Sequence, residues 1–315
     1  MHNTAALRLK LLRYALIAYA LTAATSALAE GPRTLPTSAQ LSGGYLSTTL
    51  LLKPCMDVHE ESTNPSDDVL KQFEDARRGL PPDACNQPAL VEKLTTARFL
   101  QYASIAAVHD PWNLDAKIAA QNAAIARCKD AQCLERELNA VIAELSPVYL
   151  HSRPEWPRGV GLCTSKTVEV TPGKARALIG TKAQQTLVGT CAPESLSVQT
   201  CQGPRGKFVF ASCTMSGNQV NSAEWLYRVR GPKLQPLLAI DDGPSGVLTT
   251  SCNGMPDLMT AARVSMGEHY LNYYRYDGTE YQSVYAYSSI YVGTDGNGNE
   301  LVIAQGGPET RVVCR

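Results

Sequence analysis

Apolar positions recur at the helical period between about residues 66 and 145 and alternate at the strand period beyond about residue 200. The clearest helical pattern begins after Asp130. Leu134, Leu138, Val141 and Leu145 fall at i, i+4, i+7 and i+11, while Glu135, Arg136, Glu137 and Asn139 lie largely off that stripe. The stripe predicts an amphipathic helix that buries one face. Upstream, Ser66 or Asp67 is placed to cap a helix starting at Val69, and Pro88 to open one running from Ala89 to about Val108. His109-Asp110-Pro111 marks a break, because Pro111 biases Asp110 away from helical angles; a further helix is predicted from Leu114 to Arg127. Residues 146–162 hold three prolines and read as a connection.

Later in the chain, Lys207-Phe208-Val209-Phe210, Trp225-Leu226-Tyr227-Arg228-Val229 and Tyr270 to Tyr276 alternate as strands do. Turn formers separate them: Gly203-Pro204-Arg205-Gly206, Asp241-Asp242-Gly243-Pro244, Asp277-Gly278 and Asp295-Gly296-Asn297-Gly298-Asn299. The expected fold is α+β. A disulfide-stapled helical domain (30–150) and a linker (151–162) precede an antiparallel β-sandwich or barrel-like domain (163–315).

The first residues change the picture of where this fold forms. Arg8, Lys10 and Arg13 precede an apolar run from Tyr14 to Leu21, which ends in Ala27-Leu28-Ala29. These are the parts of a secretory signal over 1–29, and the run is too short for a membrane span of about 20 residues. Cleavage before Glu30 would remove three basic residues from a chain with 29 basic and 29 acidic ones, leaving a small negative balance. That balance argues against nucleic acid, whose binding needs excess Lys and Arg. The expected location is periplasmic or secreted.

All ten cysteines lie beyond the signal: Cys55, Cys85, Cys128, Cys133, Cys163, Cys191, Cys201, Cys213, Cys252 and Cys314. An even count in an exported chain predicts disulfides, four cysteines before the boundary and six after it. Sequence does not choose among the connectivities. Pairing sequential neighbours gives 55–85, 128–133, 163–191, 201–213 and 252–314.

No nucleophile elbow, zinc-protease motif or phosphate-binding glycine loop is present. His59, His109, His151 and His269 are scattered. No cofactor or metal is expected. Asp295, Asn297 and Asn299 match the first, third and fifth positions of a calcium loop, but Glu300 stands where that loop needs glycine and Gly306 where it needs glutamate. A polar hairpin turn between Ile290-Tyr291-Val292 and Leu301-Val302-Ile303 fits better. In an extended strand, Tyr270, Asn272, Tyr274 and Tyr276 share one face, opposite Leu271, Tyr273 and Arg275. Tyr270, Tyr274 and Tyr276 are therefore the candidate binding residues; the competing expectation is a cross-strand aromatic ladder holding the sheet.

Two stretches carry a resemblance. Ala124 to Leu145, with Arg127-Cys128-Lys129-Asp130, Cys133-Leu134 and Ile142-Ala143-Glu144-Leu145, resembles the end of the LprI-type lysozyme-inhibitor N-terminal domain of bacterial exported proteins. Asn122 stands near that family's tryptophan, and Leu138 replaces its usual tyrosine. Gly254-Met255-Pro256-Asp257-Leu258, together with Tyr273-Tyr274-Arg275-Tyr276-Asp277-Gly278 and Tyr281, is similar to a β-module of periplasmic proteins that include relatives of invertebrate-type lysozyme inhibitors. Ser42-Gly43-Gly44-Tyr45 also spells the short loop such inhibitors insert into the lysozyme cleft. These resemblances imply a binding protein, not an enzyme. Its protein partner would be a lysozyme or another peptidoglycan hydrolase, blocked by occlusion of its cleft. The alternatives are an envelope structural or accessory module, or a hydrolase with a spatially assembled site.

Overall fold

A computed structural model describes residues 32–42, 46–56, 66–108, 110–151, 162–163, 168–170, 195–203, 205–214, 222–240, 245–265 and 267–315. The expected signal peptide, most of the linker, the Gly43-Gly44-Tyr45 part of the loop motif, the 241–244 turn, His59, His109 and Cys191 lie outside the described residues. Among those described, the helices are α1 (Leu46–Leu52), α2 (Asp67–Arg78), α3 (Pro88–Ala107), α4 (Pro111–Ala126) and α5 (Ala131–His151). The strands are β1 (Val168–Glu169), β2 (Leu196–Gly203), β3 (Gly206–Thr214), β4 (Ser222–Arg230) and β5 (Lys233–Ile240), then β6 (Ser245–Cys252), β7 (Met255–Arg263), β8 (Glu268–Tyr276), β9 (Tyr281–Thr294) and β10 (Glu300–Pro308). They form two antiparallel sheets, β1-β2-β3-β4-β5 and β10-β9-β8-β7-β6. The fold is α+β.

Local chemistry explains most helix boundaries. Pro88 and Pro111 sit in the first turns of α3 and α4, where a missing N–H costs nothing. Pro111 thus starts α4 three residues before the predicted Leu114. The Asp110 carboxylate caps it, accepting from the Asn113 N–H at 3.4 Å. Asp130 does the same for α5 through the Cys133 N–H at 2.8 Å. The stripe of Leu134, Leu138, Val141 and Leu145 is buried. α5 also continues through Pro147 to His151, into the stretch expected to be a connection. Tyr149 extends the buried stripe and meets Phe99 edge-on at 5.2 Å, so packing outweighs the proline there.

The helices and the second sheet share one core. Phe99, Leu134, Leu138 and Leu145 cluster with Tyr273, Tyr285, Tyr287 and Leu301. A second cluster joins the two sheets: Phe208, Leu226 and Ile240 from the first meet Leu258, Tyr274 and Tyr276 from the second. The second sheet is therefore covered on both faces.

Three disulfides match neighbour pairing: Cys55–Cys85, Cys128–Cys133 and Cys252–Cys314. The pairings 163–191 and 201–213 are corrected, because Cys163 bonds Cys201. Across the β2–β3 ladder Cys201 faces Phe208 and Cys213 faces Leu196, at opposite ends. Cys201 also packs into the inter-sheet cluster and Cys213 into a different one. Cys213 is itself disulfide-bonded. The β6–β7 turn is an Asn253-Gly254 pair with φ of 50° and 75°, a conformation suited to these residue types. The Asn253 side chain donates to the carbonyls of Tyr276 (2.8 Å) and Val313 (3.2 Å), holding the C-terminal segment beside the Cys252–Cys314 bond.

Candidate functional site

The tyrosines of β8 divide as strict alternation predicts, because the slip in the β8–β9 register falls on β9 and leaves β8 regular. Tyr273 enters the core under the helices, while Tyr274 and Tyr276 enter the inter-sheet core. Tyr274 is 9% exposed and Tyr276 4%, so neither can serve as a surface contact. Tyr276 pairs across the strands with Tyr281, their rings 5.6 Å apart, and its hydroxyl donates to the Gly278 carbonyl, while Tyr274 packs among the apolar residues between the sheets. Tyr270 alone of the three candidates reaches the surface, at 36% exposure.

Tyr270 has apolar company at one end of the second sheet. It pairs with Ala262 beside the turn joining β7 and β8. Val264, just past β7, is 61% exposed, and its N–H donates to the Glu268 carbonyl at 3.0 Å. Tyr291 is 36% exposed, and its N–H reaches the Gly267 carbonyl at 2.9 Å. Three large apolar side chains thus lie open around one hairpin, Tyr270 and Tyr291 on opposite faces of the sheet by their register, with His269 also exposed on β8. Such a group, presenting two tyrosines with little rotamer freedom to lose, is suited to contacting another protein. The chain's alternation marks Tyr270 but not Val264 or Tyr291, whose exposure follows from what packs against each position.

The polar groups beneath the helices serve packing. The Tyr273 hydroxyl donates to the Val108 carbonyl at 3.2 Å, and that of Tyr285 to an Asp115 oxygen at 3.3 Å. Burial pushes the Tyr273 hydroxyl pKa up to about 12. Asp257 is fully buried and pairs with Arg275 at 3.4 Å, while the guanidinium lies 3.8 Å from the Trp112 ring centroid. Burial raises the Asp257 pKa despite the opposing effects of Thr250 and Arg275. In the helical layer, Asn122 accepts from Arg98 at 2.8 Å and from Gln101 at 2.9 Å, linking α3 to α4. Between the sheets, the buried Arg228 lies 5.3 Å from the Tyr276 ring and 6.0 Å from that of Phe208.

Asp295 is occupied by its own turn. One carboxylate oxygen accepts from the N–H groups of Asn297 (2.8 Å) and Asn299 (2.9 Å), and the other from the Asn299 side chain (2.9 Å). The segment is the β9–β10 hairpin turn. Burial raises the Asp295 pKa, but the hydrogen bonds from Asn299 and Asn297 outweigh it and hold the pKa below the usual value. A depressed carboxylate pKa contributes stability above its unfolded value that is lost as pH falls through the folded one. Asp295→Ala is expected to cost about 1–2 kcal/mol at pH 7, with the deficit shrinking below about pH 4; urea unfolding at both pH values measures it.

His151 ends α5, its Nδ1 2.9 Å from the Pro147 carbonyl, and His269 lies on β8, so the described histidines stand on separate elements. Comparison with protein families, curated proteins and solved structures finds no match.

Proposed function

We propose that this chain is an exported binding protein that blocks a cell-wall hydrolase, such as a lysozyme or a rival's toxin, by occluding its cleft. In this reading the helices form a disulfide-stapled N-terminal domain, the two sheets form a sandwich, and the mature protein works in the periplasm or outside the cell. The observation that carries the proposal is the open apolar group of Val264, Tyr270 and Tyr291 around the β7–β8 hairpin. A hairpin end can enter a cleft, and exposed tyrosines can pack against protein or sugar surfaces there. The disulfides are compatible with an oxidising compartment.

The test is a muramidase assay with the oxidised chain from residue 30 against goose-type, chicken-type and invertebrate-type lysozymes on cell walls. Stoichiometric inhibition of one class is expected. Tyr270→Ala combined with Tyr291→Ala should weaken it by about tenfold or more, while changing unfolding stability by only about 0.5 kcal/mol. No inhibition at micromolar excess of any class would remove lysozyme as the target. Full inhibition by the double variant would remove this surface from the proposal.

A further inference from the structure

The first sheet carries its positive charge at one end. From β2 through β5 the basic residues are Arg205, Lys207, Arg228, Arg230 and Lys233, against the single acid Glu224. The antiparallel register brings the β2–β3 and β4–β5 turns to the same end: Gly203 faces Gly206, Phe208 faces Arg228, and Arg230 faces Lys233. Arg205, Lys207, Arg230 and Lys233 are exposed there, and among the described residues none of them forms an ion pair.

Arg228 differs from these four in being buried, at 5% exposure. Its guanidinium lies against the rings of Phe208 and Tyr276, and neither its Nε nor its Nη2 has a hydrogen-bond partner among the described residues. An arginine does not lose its proton in a protein, so it cannot relieve burial that way, and a buried charge is costly unless paired. The two nitrogens are neighbours on one edge of the planar group. That edge is the fork that holds two oxygens of one carboxylate or phosphate. No acid of this chain fills it. On the β8–β9 turn Asp277 accepts from the N–H groups of Thr279 (2.7 Å) and Glu280 (3.0 Å), Glu280 accepts from Gln282 (3.2 Å), and the buried Asp257 pairs with Arg275. Gln235, opposite Arg228 in the register, joins the two sheets beside it: its amide donates to the Thr279 carbonyl at 2.9 Å and accepts from Arg230 at 3.3 Å.

We propose that this end of the first sheet binds a phosphate group, with two of its oxygens on Nε and Nη2 of Arg228 and with Arg230 and Lys233 at the rim. A lone carboxylate would match the fork, but the exposed cations around it favour the more highly charged group. The anion enters beside Gln235 by parting the exposed Gln235–Thr279 bond. The phosphate is that of a soluble molecule or of a lipid headgroup. The site lies at the other end of β8 from Tyr270 and does not depend on the inhibitor reading.

The test titrates pyrophosphate, and separately phosphatidylglycerol or phosphatidylcholine vesicles, into the oxidised chain from residue 30 by calorimetry. Saturable binding is expected with pyrophosphate for a soluble source, or with phosphatidylglycerol vesicles alone for a lipid one, weakening as salt is raised. Arg228→Met removes the fork and keeps an apolar chain against the two rings, so thermal unfolding should show a native transition while binding falls by about tenfold or more. Arg228→Lys keeps the charge without the fork and should also lose about tenfold. Lys233→Gln, at the rim, should lose only about threefold. No saturable binding to either anionic probe, or folded Arg228 variants that bind as tightly as the wild type, would overturn the proposal; the second result would leave only diffuse surface charge.

Discussion

Tyr273→Ala is expected to lower stability by about 3–5 kcal/mol, the range for removing a large aromatic side chain from a packed core. Tyr273 is almost completely buried, and its ring meets those of Trp112 from α4 and of Tyr285 and Tyr287 from β9 at centroid distances of 5.8, 6.5 and 6.1 Å. Its hydroxyl also satisfies the Val108 carbonyl between α3 and α4. Truncation would leave both a cavity and an unpaired carbonyl at the seam between helices and sheet. Urea unfolding followed by helical circular dichroism and by aromatic fluorescence measures the effect. Because one core spans the seam, both signals should move together and the midpoint should fall for both. Two separate transitions, with only the fluorescence midpoint shifted, would mean that the helices are held by a core of their own. Tyr273→Phe should cost less, about 1–3 kcal/mol, because only the hydrogen bond is lost.

Arg275→Met should destabilise by about 3 kcal/mol at neutral pH, because it leaves the fully buried Asp257 without its cation. The arginine head is partly exposed, which places the value toward the low end for a broken buried pair. In the wild type, burial already raises the Asp257 pKa, so the folded state binds this proton more readily than the unfolded chain. Stability from this group is therefore present below the ordinary aspartate pKa and lost as pH rises through the raised folded value. Removing Arg275 takes away an influence that lowers the pKa, raising it further. The deficit of the variant should then grow with pH and shrink toward acid. Unfolding free energies from pH 4 to pH 8 check this, and a deficit independent of pH would show that lost packing on Trp112, not charge, is responsible. Adding Asp257→Asn to Arg275→Met should recover part of the loss, since no buried charge then remains.

The hairpin surface was only partly legible in the chain. Alternation at β8 marked Tyr270, Tyr274 and Tyr276 together, but the first sheet lying across that face buries two of them. Tyr291 and Val264 gave no distinguishing signal, since an apolar residue near a strand end has the same local pattern whether or not something covers it.

What the sequence determined by itself was local. The period of Leu134, Leu138, Val141 and Leu145, Pro88 opening α3, and the Asp277-Gly278 and Asp295–Asn299 turns each depend on a few neighbouring residues, and all appear where the pattern places them. The tertiary structure decided what depends on distant parts of the chain meeting. It continued α5 through Pro147 because Tyr149 finds Phe99, and it paired Cys163 with Cys201 because strand registry separates Cys201 from Cys213. It also buried both faces of the second sheet, one under helices and one under strands. Periodicity reports which side of an element is apolar, whereas burial depends on which surfaces assemble against it, and that is a property of the whole fold.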